Sequence, residues 1–320
     1  MKKILTIAAV LALGVGAAQA ADLRKVYTKA PPPPVEVSPW DFAFGAGIAS
    51  DYIFRGITQS AHKPSVNAYF EPRYNINPNL QLYAGLGGAS ISFPNRAAAE
   101  IDVYGGIRPT FGPVAFDFGV FGYLYPGGQC FHANPAFCGG FVGNGALPNG
   151  NFAKRDWSFF EGYGKVLWTV NDWVAVGANA YYSPNFLNTG ADGTYVSGTA
   201  KFTAPSTWFG STGIGAYLSG EYGHQFFGTS DAFYGNLNYR GYNTWNVGLG
   251  FTYKVFTLDL RYHDTDYGRG NCNAFTSDHT TFTTGAITAI NPAPGLASNW
   301  CSSAYVAKFS ADLTALSNLK

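Results

Sequence analysis

The sequence predicts an all-β protein: a single transmembrane antiparallel β-barrel of about 12 strands, with short periplasmic turns and long external loops. Three observations carry that prediction. Segments of roughly ten residues alternate apolar with polar or small side chains, the period of a strand with two different faces. The connections between them alternate between short and long. The composition is poor in charge (12%) and rich in Gly (40), Phe (26), Tyr (21) and Trp (7), whereas a soluble domain carries about 25% charged residues.

The alternation places strands near 40–55, 65–75, 79–92, 100–110, 114–124, 158–169, 173–183, 194–204, 213–223, 243–253, 256–266 and 303–313. The clearest is Phe256-Thr257-Leu258-Asp259-Leu260-Arg261-Tyr262-His263, whose apolar and polar residues fall on opposite parities. Tight turns follow at 76–78, 111–113, 170–172 and 254–255, with a longer one near 205–211, and extended loops such as 126–157 and 268–302 lie between them. An even strand number puts both ends of the chain on the periplasmic side. Pro72 and Pro109 remove ladder donors and belong at strand ends or bulges.

Charge placement tests the phase. When each strand's outward face is set from its apolar residues alone, Asp41, Asp51, Arg55, Glu71, Arg73, Asp102, Arg108, Asp117, Glu161, Lys165, Lys201, Glu221, Asp259, Arg261, Lys308 and Asp312 all fall on the inward parity. A charge facing the bilayer midplane costs about 2–4 kcal/mol, so these residues are the candidate pore lining. Nine acidic and seven basic positions predict little ion selectivity. The outward parity ends in Trp40, Phe54, Tyr74, Trp168, Tyr182, Tyr222, Trp245, Tyr253 and Tyr262, as interfacial girdles require. Inward glycine pairs such as Gly85/Gly87 and Gly248/Gly250 relieve crowding in a curved sheet and are not nucleotide cradles, because no strand-to-helix unit follows them.

The amino terminus assigns the compartment. Lys2 and Lys3, the apolar run Ile4 to Gly16 and the small residues Ala18-Gln19-Ala20 form a secretory signal over 1–20, with cleavage expected before Ala21. Residues 21–38, with Pro31 to Pro34, form an extended periplasmic spacer, and 39–320 the barrel. Lys2 and Lys3 account for two of the 20 basic residues, leaving 18 against 19 acidic ones, so nothing favours nucleic acid as a partner. The expected location is the outer membrane of a Gram-negative bacterium, and the expected partners are its lipids and lipopolysaccharide, the barrel assembly machinery and small polar solutes. No cofactor or metal is expected. Cys130, Cys138, Cys272 and Cys301 allow three disulfide pairings in an oxidising compartment. Cys130 with Cys138 and Cys272 with Cys301 is preferred, because each pair lies within one loop; cross-loop pairing stays open.

The segment Ser50-Asp51-Tyr52-Ile53-Phe54-Arg55-Gly56-Ile57-Thr58-Gln59-Ser60, at the top of the first strand, resembles the opening signature of the TorF-type porin family of proteobacteria. The Tyr- and Gly-rich strands up to Tyr305–Leu313 are similar in spacing. That resemblance implies an outer-membrane barrel with porin function. Leu316 to Lys320 lack the terminal aromatic that assembly machinery reads, and Phe309 is the candidate substitute.

Function then divides into three classes. The leading one is a passive channel for small hydrophilic solutes or ions, with Asp51 and Arg55 forming a charged constriction near the external mouth; the competing view of the same residues is a salt-bridge network that packs the lumen shut. The second is a structural or surface-interaction barrel acting through its loops. The third, a barrel lipase or protease, has only His224, Ser230 and Asp231 in one external loop and no Ser elbow around them, so the chain reads as a non-enzyme. Asp264, Asp266 and His279 lack the remaining ligands of a calcium loop.

Overall fold

The structure is a computed structural model that describes residues 38–140 and 145–318. The signal peptide and nearly all of the spacer expected for 1–38 lie outside the described residues. Fourteen strands occur among the described residues, and twelve of them close a barrel. These are β1 (Trp40–Ala49), β4 (Ser65–Asn77), β5 (Leu80–Ala89), β6 (Glu100–Phe111), β7 (Val114–Leu124), β8 (Phe159–Thr169), β9 (Val174–Ser183), β10 (Gly193–Thr203), β11 (Ile214–Phe227), β12 (Tyr242–Tyr253), β13 (Phe256–Thr265) and β14 (Ala304–Thr314). The remaining two, β2 (Ile53–Phe54) and β3 (Ile57–Thr58), pair only with each other.

Each barrel strand is antiparallel to its neighbours, and β1 closes the circle by pairing with both β4 and β14. Closure leaves no edge, so every strand's backbone groups find partners without water, as a hydrocarbon environment demands. The registers carry the alternation around the whole barrel. In β13, Leu258 pairs with Phe309 and Phe251 on the outside, while Asp259 pairs with Lys308 and Gly250 on the inside. Large apolar side chains consequently cover the exterior, among them Ile48 (52% exposed), Leu86 (55%), Val120 (61%) and Leu218 (50%). A water-soluble fold would hide these residues; a lipid-facing one displays them.

Pro109 lies near the end of β6, as expected. Pro72 does not: it sits in the middle of β4, and the β4–β5 pairing steps from Phe70↔Leu86 to Arg73↔Tyr83 across Glu71 and Pro72. The inward glycines act as seats. A Cβ on Gly85 would lie 2.1 Å from the Tyr104 ring, so only glycine lets that ring lie flat across the neighbouring strand. At the short-turn end, α1 being a loop helix at Arg269–Thr276, the second helix α2 (Ala315–Asn318) folds back so that Leu316 N–H donates to Asp41 Oδ1 at 3.0 Å.

The first strand differs from its expected extent of 40–55. It stops at Ala49, and the chain turns into the lumen, where Ser50 to Lys63 form an inward-folded hairpin built on β2 and β3. Arg55 (φ +47°) and Gly56 (φ +80°) make the reversal. A Cβ on Gly56 would lie 2.2 Å from Thr265 Cγ2, so glycine is required both by the backbone and by the space. Phe54 is thus not part of the outer girdle; its ring packs edge-on against Tyr123 inside the barrel, at 5.7 Å between centroids.

Over this hairpin the long loops fold into an apolar cap. Ile57 packs with Phe93, Phe131, Trp157, Phe186, Phe275 and Trp300, all buried, in one continuous cluster. The preferred disulfide pairing is present: Cys130–Cys138 and Cys272–Cys301. The second joins α1 to the segment after Trp300, under the cap, with Cys272 fully buried.

Candidate functional site

The candidate site is the barrel lumen, which divides into three layers. The external layer is the hairpin and its anchors. Arg55 reaches across the lumen to β8, where its guanidinium grips Glu161 with both nitrogens (Nη1–Oε1 2.8 Å, Nη2–Oε2 2.7 Å) and also donates to Gln225 Oε1 on β11 at 3.2 Å. The side chains of this pair are 6% and 0% exposed. Aromatic faces of Phe54, Tyr181 and Tyr195 surround the guanidinium at 4.5 to 4.7 Å, a setting that favours arginine over lysine. The hairpin backbone is held as well, since Tyr242 Oη donates to Arg55 O at 2.9 Å. Burial works against the Arg55 charge, but the Glu161 carboxylate beside it more than offsets this and holds its pKa above the ordinary arginine value.

The other end of the hairpin is fastened by Asp51. Its carboxylate accepts from Thr58 Oγ1 (2.6 Å), Ser60 Oγ (2.9 Å) and the His62 ring (Nδ1, 2.8 Å). His62 Nε2 lies 3.1 Å from Asn299 O in the last loop. Burial pushes the Asp51 pKa up, yet the three donors outweigh it and leave the group below the usual carboxylate value. The bond to Asp51 raises His62 above the usual histidine value against the opposing effect of its own burial.

The middle layer is a cavity of about 460 Å³ directly beneath the hairpin, lined by small and apolar residues and by Tyr52, Glu100, Asp102, Arg261, His263 and Lys308 among others. Glu100 is clasped by two phenols, Tyr52 Oη at 2.6 Å and Tyr125 Oη at 2.8 Å. Asp259 and Arg261 form an ion pair (2.9 Å) tied to Tyr217, Asn246 and Ser219.

The third layer lies toward the short-turn end. Glu71 accepts from Arg73 Nε (2.6 Å) and Arg108 Nη1 (2.7 Å), and Arg108 reaches on to Asp117 at 3.4 Å while stacking over the Tyr83 ring. Lys165 and Lys201 lie over the rings of Tyr163 and Tyr217, Glu221 accepts from Tyr195, and Asp312 from Tyr69. Asp41 sits at the rim with α2.

The sixteen candidate residues therefore reach the lumenal side, but not as the sequence placed them. Asp51 and Arg55 are not two rungs of one strand at the mouth; they sit on a hairpin folded inward, and Arg55 points across the barrel to Glu161. Sequence reasoning missed the cap residues Phe93, Trp157, Phe275 and Trp300, and the phenols on Glu100. The candidate catalytic residues form no constellation: His224 lies on β11 rather than in the loop that holds Ser230 and Asp231, and each has another partner. His224 Nδ1 is bound to Asn243 Oδ1 (2.8 Å), Ser230 Oγ accepts from Leu237 N–H (2.8 Å), and the Asp231 carboxylate is paired with Lys154. Asp264 accepts from Tyr262 and Asp266 from Asn243, and no cluster of metal-binding side chains occurs among the described residues.

A closed barrel with an apolar exterior and a charged, hydrogen-bonded interior defines a class: a transmembrane β-barrel of the bacterial outer-membrane type. Residues 35–142, from the start of the barrel through β7, match the model of a family described as a bacterial protein of unknown function (Gcw_chp). The match contains Ser50–Ser60, on which the resemblance to TorF-type porins rests, and its description assigns no porin activity. No curated protein matches the chain. Similar solved structures include LpxR from Salmonella typhimurium (10% identity, 85% of this chain and 99% of that one, TM-score 0.40). A Pseudomonas aeruginosa FadL homologue is 11% identical over 87% and 90% of the two chains, with a TM-score of 0.39. A loop L8 deletion mutant of OmpT, an outer membrane protein of Vibrio cholerae, is 10% identical over 86% and 99%, with a TM-score of 0.36. These likenesses carry no inference about activity.

Proposed function

We propose that the protein is an outer-membrane channel for small hydrophilic solutes that is gated at its external mouth by the Ser50–Lys63 hairpin. One observation carries this reading: the element folded into the lumen is not one of the barrel strands. β2 and β3 form a separate two-stranded sheet, so the hairpin can leave without breaking a rung of the closed ladder. Barrels of 8 strands are filled by side chains and those of 16 hold an aqueous channel; twelve strands fall between, and the inserted hairpin takes up lumen space at the external end. The lumen below is polar and of mixed sign, a lining that hydrates a passage. A well-packed apolar filling would close the barrel at no greater cost in stability.

The test is liposome swelling with neutral solutes of increasing size. Wild-type protein is expected to admit small solutes slowly, and a variant with 52–61 replaced by a Gly-Ser linker to admit them quickly. Equal, background rates from both folded proteins contradict the reading.

A second reading, a surface-interaction barrel, is favoured by the folded cap itself, which displays Phe282 and Ile287 at its outside, each 69% exposed. It predicts loop-dependent binding with no permeation from either protein.

A further inference from the structure

Most lumenal charges are matched within the barrel. Glu71, Arg73, Arg108 and Asp117 form one network, Asp259 and Arg261 another, and Arg55 and Glu161 a third. Among the described residues, Lys165, Lys201, Glu221 and Asp312 make no ion pair and contact tyrosines instead; Asp102 on β6 and Lys308 on β14, which line the same cavity of about 460 Å³, are two further exceptions. Neither takes part in an ion pair among the described residues. Asp102 Oδ1 is buried without a hydrogen-bond partner. Its neighbour across one strand position, Glu100, is buried too (2% exposed) and is held by the neutral phenols of Tyr52 and Tyr125, which satisfy its oxygens and leave its charge without a cation.

The two walls lie four strand positions apart around the twelve-strand barrel. In the closed order β14–β1–β4–β5–β6, three strands separate the strand of Lys308 from that of Asp102. The wall of Lys308 also carries His263 and the Asp259–Arg261 pair, and the three intervening strands line the cavity with Ala49, Tyr69, Gly87 and Ala89, while the stacked rings of Tyr104 and Phe121 (5.0 Å) stand beside Asp102 on β6 and β7. A buried carboxylate oxygen without a donor is costly, and an ammonium group supplies the donor and the opposite charge together. The same cavity offers a free ammonium, Lys308, to a carboxylate.

We infer that this cavity is a binding site for small zwitterions, amino acids of the ω-amino type, with the ammonium end at Asp102 and Glu100 and the carboxylate end at Lys308. The assignment deepens the channel reading and rests on it for access to the cavity. A chain of methylenes between the two charged ends would cross the three intervening strands along Tyr69 and the small residues Ala49, Gly87 and Ala89. Solutes with one charge satisfy one wall only.

The test is calorimetric titration of the detergent-solubilised full chain with 6-aminohexanoate, against hexylamine and hexanoate. The zwitterion is expected to bind at least about tenfold more tightly than either singly charged analogue, the value of one charged hydrogen bond. Asp102→Asn should remove its advantage over hexanoate, and Lys308→Gln its advantage over hexylamine. Binding that is unchanged by both substitutions, equal binding of all three compounds, or no binding overturns the inference. The swelling experiment separates the two claims: permeation by the hairpin-replaced barrel without zwitterion binding removes the site and leaves the channel, and binding without permeation removes the channel and leaves the site.

Discussion

Arg55 and Glu161 are the two ends of a bidentate ion pair that spans the lumen from an inward-folded hairpin to the wall of the barrel, with both side chains buried. Removing one partner strands the other in a dry aromatic pocket, which costs about 3–5 kcal/mol, whereas removing both leaves no uncompensated charge. Arg55→Ala and Glu161→Ala are each expected to destabilise the hairpin by that order, and Arg55→Met/Glu161→Met by clearly less than their sum. Limited proteolysis of 50–63 in the three folded barrels, alongside wild type, measures the difference; additive effects would show that the pair is not the anchor.

Gly56→Ala is expected to release the same hairpin without touching a charge. The substitution puts a Cβ at φ +80° and into Thr265, costing at least about 1 kcal/mol for the backbone alone. Hydrogen exchange at Ile57 and Thr58 should speed up while the amides of β12 and β13 stay protected. Unchanged exchange at Ile57 would contradict the packing described for the turn.

The Asp51–His62 fastening predicts a pH window. The His62 ring lies between two acceptors, the Asp51 carboxylate and Asn299 O, and only the imidazolium donates to both. His62 titrates above its usual value, so its contribution is complete below the ordinary histidine range and is lost as pH rises through the raised value. Asp51 titrates below its usual value, so its contribution is present above the ordinary carboxylate range and is lost as pH falls through the lowered value. Closure should be firmest between about pH 4 and about pH 6.5 and should loosen on either side. Proteolysis of the hairpin as a function of pH reads this out; His62→Gln should abolish the loosening on the alkaline side and, by removing one of the donors that hold Asp51 low, shrink the acid-side loosening and move it to higher pH.

The two disulfides differ in weight. Cys272–Cys301 closes a loop of sequence separation 29 beneath the cap, and Cys130–Cys138 one of separation 8 in half-buried surroundings. Loop entropy gives about 3–4 kcal/mol for the first and about 2–3 kcal/mol for the second, and only the first adjoins Trp300 and Phe275 in the cap core. The double variant Cys272→Ser/Cys301→Ser should raise the protease sensitivity of 266–303 severalfold, with Cys130→Ser/Cys138→Ser changing only its own loop. Equal effects across both loops would show that the cap does not form one core.

The barrel was legible because two solvents, lipid and lumen water, act on alternate residues of every strand. Phe256 to His263 show this at each position, and eleven of the twelve barrel strands lie within a few residues of the spans that the alternation predicts. The first strand is overextended in the sequence reading because Asp51 and Arg55 keep the inward parity, against Tyr52 and Phe54, after the strand has ended; a short hairpin has the same period as the strand it leaves. Only the Arg-Gly pair with positive φ marks the reversal, and a glycine in so glycine-rich a chain is a weak mark. The cap was illegible for a different reason. Phe93, Trp157, Phe275 and Trp300 converge from loops with no periodicity, and their only signature is that aromatic residues are frequent where a solvated loop has no use for them. The cavity charges were found individually by parity, but pairing is a property of register and reach, so nothing in the spacing of Asp102 and Lys308 distinguished them from Asp259 and Arg261.

Single-channel recording in planar bilayers tests the central claim, closure of a conducting lumen by the Ser50–Lys63 hairpin, most directly. Wild-type protein is predicted to be closed most of the time with brief openings, Arg55→Ala to open more often at the same step size, and the barrel with 52–61 replaced by a Gly-Ser linker to conduct steadily. Persistent silence from the folded, hairpin-replaced barrel, or steady conductance from wild type that the replacement leaves unchanged, would contradict it.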